Sequence, residues 1–289
     1  MQNIKKVAPQ DNEFLQRIAD IDNPAKCLWY IGNLPKRRPT VAVVGSRKPT
    51  TYGRAVSQQL VSELARRGVV IVSGLAIGHD GLAHRACLDA GGTTVAVIGN
   101  GLNDIYPHRN QGLANDIINS GGAIVSEYPP DAPVYPNHFL ERNRLISALA
   151  DVVVVIEAGE RSGTLNTASH ALAQGREVMA VPGNITSPLS RGCNKLIAEG
   201  ATPILSAQDI LDVLNIHDDS QASVQANRQI RFDSPDAQRI YDLIVAGHND
   251  GDKLSQLSQL SASELSIALT MLELNGYIRA VGNNKFVSL

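Results

Sequence analysis

The residues best suited to chemistry in this chain stand at glycine-marked junctions between apolar runs and helical patterns. In VAVVGSRKPTTYG a β-branched run passes through Gly45, Ser46 and Arg47 into a helix expected near Tyr52 or Gly53. That order gathers backbone N–H groups, a positive helix end and a guanidinium at one point, which suits a phosphate; the alternative is a plain turn with a solvated arginine. VVIVSGLAIGHDGLAH forms a second junction through Ser73, Gly74, Ala76 and Gly78. A third is EAGERSGTL, where Ser162, Gly163 and Thr164 open a helix through Ala173. In FLERNRLISALAD, Arg142, Asn143 and Arg144 stand where a helix is expected to begin, and Ile146 and Leu149 turn inward. At least one of the two arginines should then face the same crevice, unless both are solvated or paired with Glu141. Lys195, in the helix after PGNITSPLSRGCN, is a further cationic candidate.

What is missing narrows the chemistry. The dinucleotide fingerprint GxGxxG is absent, and VVIVSG ends without an acid for a ribose, which disfavours NAD and FAD. EAGERSGT lacks the GK[ST] ending of a P-loop, so it offers neither a lysine for terminal phosphates nor a hydroxyl for magnesium. His79, Asp80 and His84 do not reproduce the i, i+4 pair of a helical zinc site, and Asp80 is expected to cap or anchor a helix start. No metal and no cofactor are therefore expected. The 7 histidines are scattered, and no GxSxG or HExxH is present. Glu127 and Glu157, at strand ends, keep an acid–base reading open.

The elements that must hold these residues are legible as alternating runs. VAVVG, VVIVSG, TTVAVIG, GAIVSE, VVVVIEAG and EVMAVPG are separated by amphipathic segments such as Gly53 to Arg67. Uninterrupted apolar strands alternating with helices predict an α/β fold with a doubly wound, mostly parallel sheet, ligands gathering at the carboxyl ends of its strands. The segment 1–39, with a short helix and the strand-like CLWYIG, is read as an N-terminal extension, and 40–214 as the Rossmann-like domain. Asn215 to Phe232 is polar, without periodicity, and reads as a linker. In 233–289, Ser234 is expected to cap a helix that starts at Pro235 and runs to about Ala246. Helices at Leu254–Leu260 and Ser263–Asn275 and a hairpin around Gly282 suggest a small winged-helix-like domain.

Composition bounds the partners. The chain has 289 residues, 43% hydrophobic and 19% charged, which excludes disordered and collagen-like classes. The formal charge of -2 divides unevenly: 7 basic and 4 acidic residues in 1–40, 13 of each in 41–206, 2 and 4 in 207–232, and 4 and 7 in 233–289. A basic face for nonspecific duplex binding is disfavoured, whereas a local pocket of amides and arginines needs no basic total. The 3 cysteines, Cys27, Cys87 and Cys193, form no CxxC pair and read as reduced thiols. The first residues lack the apolar core of a secretory signal and no run is long enough to span a membrane, so a cytoplasmic protein is expected.

Taken together, VAVVGSRKPTTYG, VSGLAIGHDGLAH, GGTTVAVIGNGLNDIYP, SEYPP, FLERNRLISALAD, VVVVIEAGERSGTLNTASHAL, GREVMAVPGNI and GCNKLIAEGA resemble the DNA-processing protein A (DprA, or Smf) family, from about Cys27 to Leu211. The resemblance implies an extended Rossmann-like domain that binds and protects single-stranded DNA and helps load the RecA recombinase in natural transformation. It further implies a homodimer without enzymatic activity. Carried over by position, the family's GSR is Gly45, Ser46 and Arg47, its SGxAxG is Ser73, Gly74, Ala76 and Gly78, its RNR is Arg142 to Arg144, and its SGTL is Ser162 to Leu165. This chain departs at His79, where the family has Ile, at Leu140, where it has Pro, and at His108, where many members have Lys. Either Arg109 takes over that lysine's contact or the contact is lost. The N-terminal SAM-like domain of many members is expected to have no counterpart in these residues.

The C-terminal unit resembles the family's winged helix, yet Ser263 to Asn275 contains two Glu and no Lys or Arg, which fits a protein contact or packing better than a duplex. Tyr106, Tyr128 and Phe139 are candidates for stacking on bases. The rival reading is a nucleotide N-glycosidase on a related fold. ERSGTLNTA has its SGT but lacks the preceding PGG and the following acid.

Overall fold

The computed structural model describes residues 3–216, 232, 234–245, 247–258, 260–275, 277–282 and 284–288. The chain divides into two compact units at residue 217. Most of the segment read as a linker, 217–231, lies outside the described residues.

In the larger unit the apolar runs form β3 (Thr40–Val44), β4 (Val70–Ser73), β5 (Thr94–Ile98), β6 (Ala123–Ser126), β7 (Val152–Val155) and β8 (Glu177–Ala180). Three short strands complete the sheet: β1 (Lys5–Val7), β2 (Leu28–Gly32) and β9 (Thr202–Pro203). The order is β1-β2-β6-β5-β4-β3-β7-β8-β9. All pairs from β6 to β9 are parallel, and β1 and β2 add antiparallel at one edge. The fold is thus a doubly wound, mostly parallel α/β sheet, and its order reverses between β3 and β7. The carboxyl ends of those two neighbours border the crevice where such sheets take ligands.

Burial on both faces explains why the strands are uniformly apolar. Ala42 and Val44 of β3 pack into one layer, Val41 and Val43 into the other. The first layer is covered by α4 (Pro136–Leu149), α5 (Gly163–Ala173) and α6 (Arg191–Ala198), through Leu145, Ala168 and Leu196. The second is covered by α1 (Thr51–Arg66), α2 (His79–Asp89) and α7 (Ala207–Val213), through Leu64, Ala83 and Ile210. The helix α3 (Gln111–Asn119) closes a third cluster over β2, β5 and β6 with Leu113 and Ile117. Cys87 on α2 and Cys193 on α6 are buried, and burial pushes both thiols up to about 12.

Residues 5–32, set apart on sequence as an extension, contribute β1 and β2 to the same sheet and bury Phe14, Leu15 and Ile18 in the first layer. Polar ties hold this segment. Arg17 pairs with Asp151, whose second oxygen accepts from the Thr40 amide at 2.8 Å. Arg144 donates through Nε to the Asn23 carbonyl at 3.0 Å.

The smaller unit has α8 (Pro235–Val245), α9 (Gly251–Ser258), α10 (Ala262–Leu274) and a hairpin of β10 (Ile278–Gly282) and β11 (Lys285–Ser288). As the sequence suggests, the Ser234 hydroxyl accepts from the Ala237 amide at 3.4 Å at the start of α8. The helix α9 begins three residues before the expected Leu254. Ser261 and Glu264 form a reciprocal capping box that starts α10. Ile240, Leu254, Leu265, Leu272 and Ile278 make the core of this unit. Among the described residues no helix is long and apolar enough to cross a membrane.

Candidate functional site

The crevice lies at the carboxyl ends of β3 and β7. It is a cavity of about 600 Å³ walled by the loop Gly45–Lys48 after β3, by Phe139, Arg142 and Asn143 of α4, and by Arg161–Thr164 at the start of α5. A smaller recess beside it shares Arg47, Ala76, Phe139 and Arg142 and adds Gly74, Ile77, Tyr106 and Pro107. The first volume is in the range of ordinary ligand pockets. Its lining carries Arg47, Lys48, Arg142 and Arg161 against one carboxylate, Asp80. A neutral domain thus concentrates positive charge in one place.

Backbone geometry shapes this wall before any side chain does. The Ser46 amide donates to the Glu157 carbonyl at 2.8 Å, and its own carbonyl accepts from the His79 amide at 3.2 Å, so the ends of β3, β7 and the start of α2 are stitched together. Gly78 has φ +99°, and a Cβ there would meet the Ser46 carbonyl oxygen. At Gly45 a Cβ would fall 2.6 Å from the His79 imidazole. Both positions therefore require glycine.

A buried polar network underlies the loop. His79, fully buried, accepts from the Ser57 hydroxyl at Nδ1 (2.7 Å) and donates from Nε2 to Glu157 (3.0 Å). Burial lowers the His79 pKa despite Glu157 beside it, which keeps the ring neutral. Glu157 also accepts from the Thr50 amide and hydroxyl, at 2.9 and 2.5 Å. Burial works to raise its pKa, but these bonds and His79 hold it below the usual carboxylate range. The departure from the family's Ile at position 79 is thereby satisfied by Ser57 and Glu157. Thr50 in turn caps α1, accepting from the Gly53 amide at 3.0 Å.

Arg142 forms the floor. It is 4% exposed, and its Nη1 donates to the carbonyls of Gly74, at 2.8 Å, and Val97. Its Nε has no hydrogen-bond partner among the described residues. Burial lowers its pKa to about 10, opposed by Asp80 and assisted by Arg47, so it stays a cation at neutral pH. Asp80 does not cap α2, whose N-cap is Gly78 without a side-chain bond; it ties the helix start to the SGxAxG loop by accepting from the Gly74 and Ala76 amides at 3.0 and 3.3 Å. Burial pushes its carboxyl up against the pull of Arg142 and those amides. On the third wall Ser162 caps α5, accepting from the Thr164 amide at 3.2 Å, and the positive end of this helix of 11 residues faces the cavity.

Of the residues singled out on sequence, Gly45, Ser46, Arg47, Gly74, Ala76, Arg142, Asn143, Ser162, Gly163 and Thr164 line one or both cavities. Ser73 and Gly78 stand behind them: the Ser73 hydroxyl is buried and donates to the Val43 carbonyl at 2.6 Å. Three cations sit elsewhere. Arg144 makes a bidentate pair with Glu127, both bonds 2.7 Å, on another side of α4. Lys195 is exposed and 3.7 Å from Glu199 one turn on. Arg109 is exposed on the turn His108–Asn110 and lines neither cavity, while His108 lies 3.4 Å from Asp104. The RNR triplet also lies mid-helix rather than at a helix start, because Pro136 at the first helical position begins α4 six residues earlier.

Two lining cations, Lys48 and Arg161, were not singled out on sequence. Each is adjacent to a motif, and that adjacency was the available signal. Glu127 and Glu157, the carboxylates considered for acid–base work, are occupied by Arg144 and by Thr50 with His79, and neither lines the cavity. Among the aromatic candidates, Tyr106 and Phe139 lie 5.8 Å apart beside the recess. Tyr128 already stacks on His138 at 3.9 Å, and its hydroxyl donates to Glu141.

Comparison with known proteins agrees with this fold. The family profile described as DNA recombination-mediator protein A matches residues 5–215, and the DprA winged helix domain matches 224–284. Protein Smf of Escherichia coli K12 is 40% identical over 285 residues, covering 94% of this chain and 75% of the relative. DNA processing protein DprA of Bacillus subtilis is 40% identical over 215 residues, covering 74% and 72%. The crystal structure of DprA from Streptococcus pneumoniae superposes with a TM-score of 0.66 at 39% identity, over 73% of this chain and 74% of that one. The Helicobacter pylori DprA structure, described for its single-stranded DNA binding mode, has a TM-score of 0.64 at 30% identity, over 74% and 98%. The chain is a member of the DNA-processing protein A (DprA/Smf) family, with a Rossmann-like domain followed by a winged-helix domain.

Proposed function

We propose that this protein binds single-stranded DNA in the crevice between β3 and β7, shields the strand, and acts without catalysis as a mediator that loads RecA recombinase during natural transformation and homologous recombination. The observation that carries the DNA reading is the gathering of Arg47, Lys48, Arg142 and Arg161 around one cavity against a single carboxylate, Asp80. Such a cluster of guanidinium and ammonium groups is suited to anionic oxygens. The helix end of α5 adds to the same field. Arg47, Lys48 and Arg161 would neutralise successive phosphates, and Tyr106 with Phe139 offers an edge for a base. The Helicobacter pylori relative, described by its single-stranded DNA binding, supports the same partner here. RecA loading, a homodimer and a cytoplasmic site of action are the further parts of this proposal, and membership of the family supports them.

Anisotropy of a labelled oligothymidylate tests the DNA reading. Expected is binding that exceeds that of a duplex of equal length and falls with salt at a log–log slope of about -0.7 per phosphate neutralised. Equal affinity for duplex and single strand would overturn it. RecA loading is tested by whether the protein shortens the lag of RecA ATPase on strands coated with single-strand-binding protein; an unchanged lag removes the mediator role.

A further inference from the structure

The helix α10 is apolar on two faces. Leu265, Ala268 and Leu272 pack into the core of the smaller unit. Ile267, Met271 and Leu274, at i, i+4 and i+7, point outward and are 65%, 53% and 78% exposed. A surface helix normally keeps one apolar stripe; a second stripe marks a face that binds something. Here that stripe borders a formed groove of about 510 Å³, walled by Ser234, Asp236 and Ala237 of the α8 start and by α10 from Glu264 to Asn275. Phe232 and Tyr277, ring centroids 4.9 Å apart and edge to face, also line it. At 1.5 Å per residue the α10 wall runs for about 16 Å, roughly three helical turns.

Charge selects the occupant. Among the described residues the lining contains Asp236 and Glu264 and no Lys or Arg. The whole of α10, Ala262–Leu274, also lacks a basic residue. Phosphate backbones need basic contacts, so nucleic acid is a poor fit for this face although it lies on a winged helix. A groove with apolar anchors and an acidic rim is complementary to a helix with an apolar stripe flanked by Lys or Arg. We infer that the α8–α10 groove of the winged-helix unit is a docking site for a basic amphipathic helix of a partner protein, and that Met271 and Ile267 are its central contacts. The flexible thioether of Met271 suits an adaptable contact of this kind. The groove thereby gives the unit a protein-binding role independent of the DNA crevice.

The chain supplies its own probe. It has 3 methionines; Met271 lines the groove and Met179 is fully buried in β8 of the larger unit. The full-length protein labelled with 13C-methyl methionine is titrated with a synthetic Leu/Lys peptide carrying leucines at i, i+3, i+4 and i+7, and with a Leu/Glu peptide of the same pattern. Met271→Leu assigns the groove signal. Expected is a saturable shift of the Met271 methyl with the Leu/Lys peptide only, an unmoved Met179 signal, and affinity reduced about tenfold by Ile267→Asp or by Asp236→Lys. A Met271 signal unmoved by the peptide and by dilution means that the groove is covered within the chain, and overturns the inference. So does a Met271 shift that depends on protein concentration alone, which identifies a second copy as the occupant. Equal response to both peptides, or unchanged affinity in both variants with a native Met179 signal, overturns it as well.

Discussion

Arg142 and Arg144 stand two positions apart on α4 and work on different sides of it. Arg142 reaches under the crevice to the carbonyls of Gly74 and Val97, while Arg144 closes a bidentate pair with Glu127 and holds the carbonyl of Asn23. Positions two apart on a helix are separated by about 200°, so one triplet delivers one arginine to the crevice and one to the N-terminal segment.

That division separates binding from stability. Arg47→Ala and Arg161→Ala each remove an exposed cation from the crevice wall, so oligothymidylate affinity and the magnitude of the salt slope should both fall, the slope by about 0.7 each, with an unchanged melting temperature. Arg142→Met should lose affinity and also destabilise the domain by about 3 kcal/mol, because two buried carbonyls lose a charged donor. Anisotropy and urea denaturation on the same preparations distinguish the two outcomes.

Arg144→Ala should behave in the opposite way. Its removal leaves Glu127 without its partner and the segment around Asn23 untied, at a cost of about 3 kcal/mol. Residual folded protein should retain its affinity for the oligonucleotide when measured well below the melting temperature. A large loss of affinity in fully folded protein would place Arg144 in the DNA contact.

Acid should weaken the larger unit through its buried histidines. Thr94 donates its hydroxyl proton to the Ile71 carbonyl, so its oxygen accepts from His84 Nδ1–H at 2.7 Å; His84 Nε2 has no partner among the described residues. Burial, with Arg142 nearby, lowers the His84 pKa from 6.5 to about 3. The unfolded chain therefore takes up a proton below 6.5 that the folded chain refuses, and stability falls as pH drops, by about 1.4 kcal/mol per unit for this residue. His79, lowered by burial, acts in the same direction. Glu157, held below 4.5, adds stability above that value that is lost as pH falls through its folded pKa. Urea titrations at pH 8, 6, 5 and 4 should show this fall, and His84→Leu should flatten it between 6 and 4.

Gly78→Ala tests the loop. With φ +99° and the Ser46 carbonyl in the way, the added methyl should destabilise the fold by more than about 1 kcal/mol and displace the Gly45–Arg47 loop, reducing oligonucleotide affinity as well. Gly175, with φ +65° but open space around it, is the control: Gly175→Ala carries backbone strain alone and should leave affinity unchanged.

The six central strands were readable because each is a β-branched run buried on both faces, and periodicity reports burial directly. β1 and β9 were not, since strands of 3 and 2 residues give no period. The glycine junctions identified the crevice because they follow strands that end together. The charges were harder. Arg144, Lys195 and Arg109 look like Arg47 in a one-dimensional text, yet their direction depends on neighbours far along the chain, such as Glu127 for Arg144. Lys48 and Arg161 carry no sequence signal beyond adjacency to a motif for the same reason: their loops turn into the cavity only once β3 and β7 are side by side.

The sheet is closed to lateral growth at both margins. On one side β1 presents Lys5 and Lys6, set over the rings of Tyr30 and Trp29; on the other, β9 is two residues long and ends in Pro203, which has no N–H to offer. Short margins bearing lysine or proline resist edge-to-edge pairing between molecules. Molecules crowded along one strand of DNA, as the proposed activity requires, would therefore stay discrete instead of joining into fibrils.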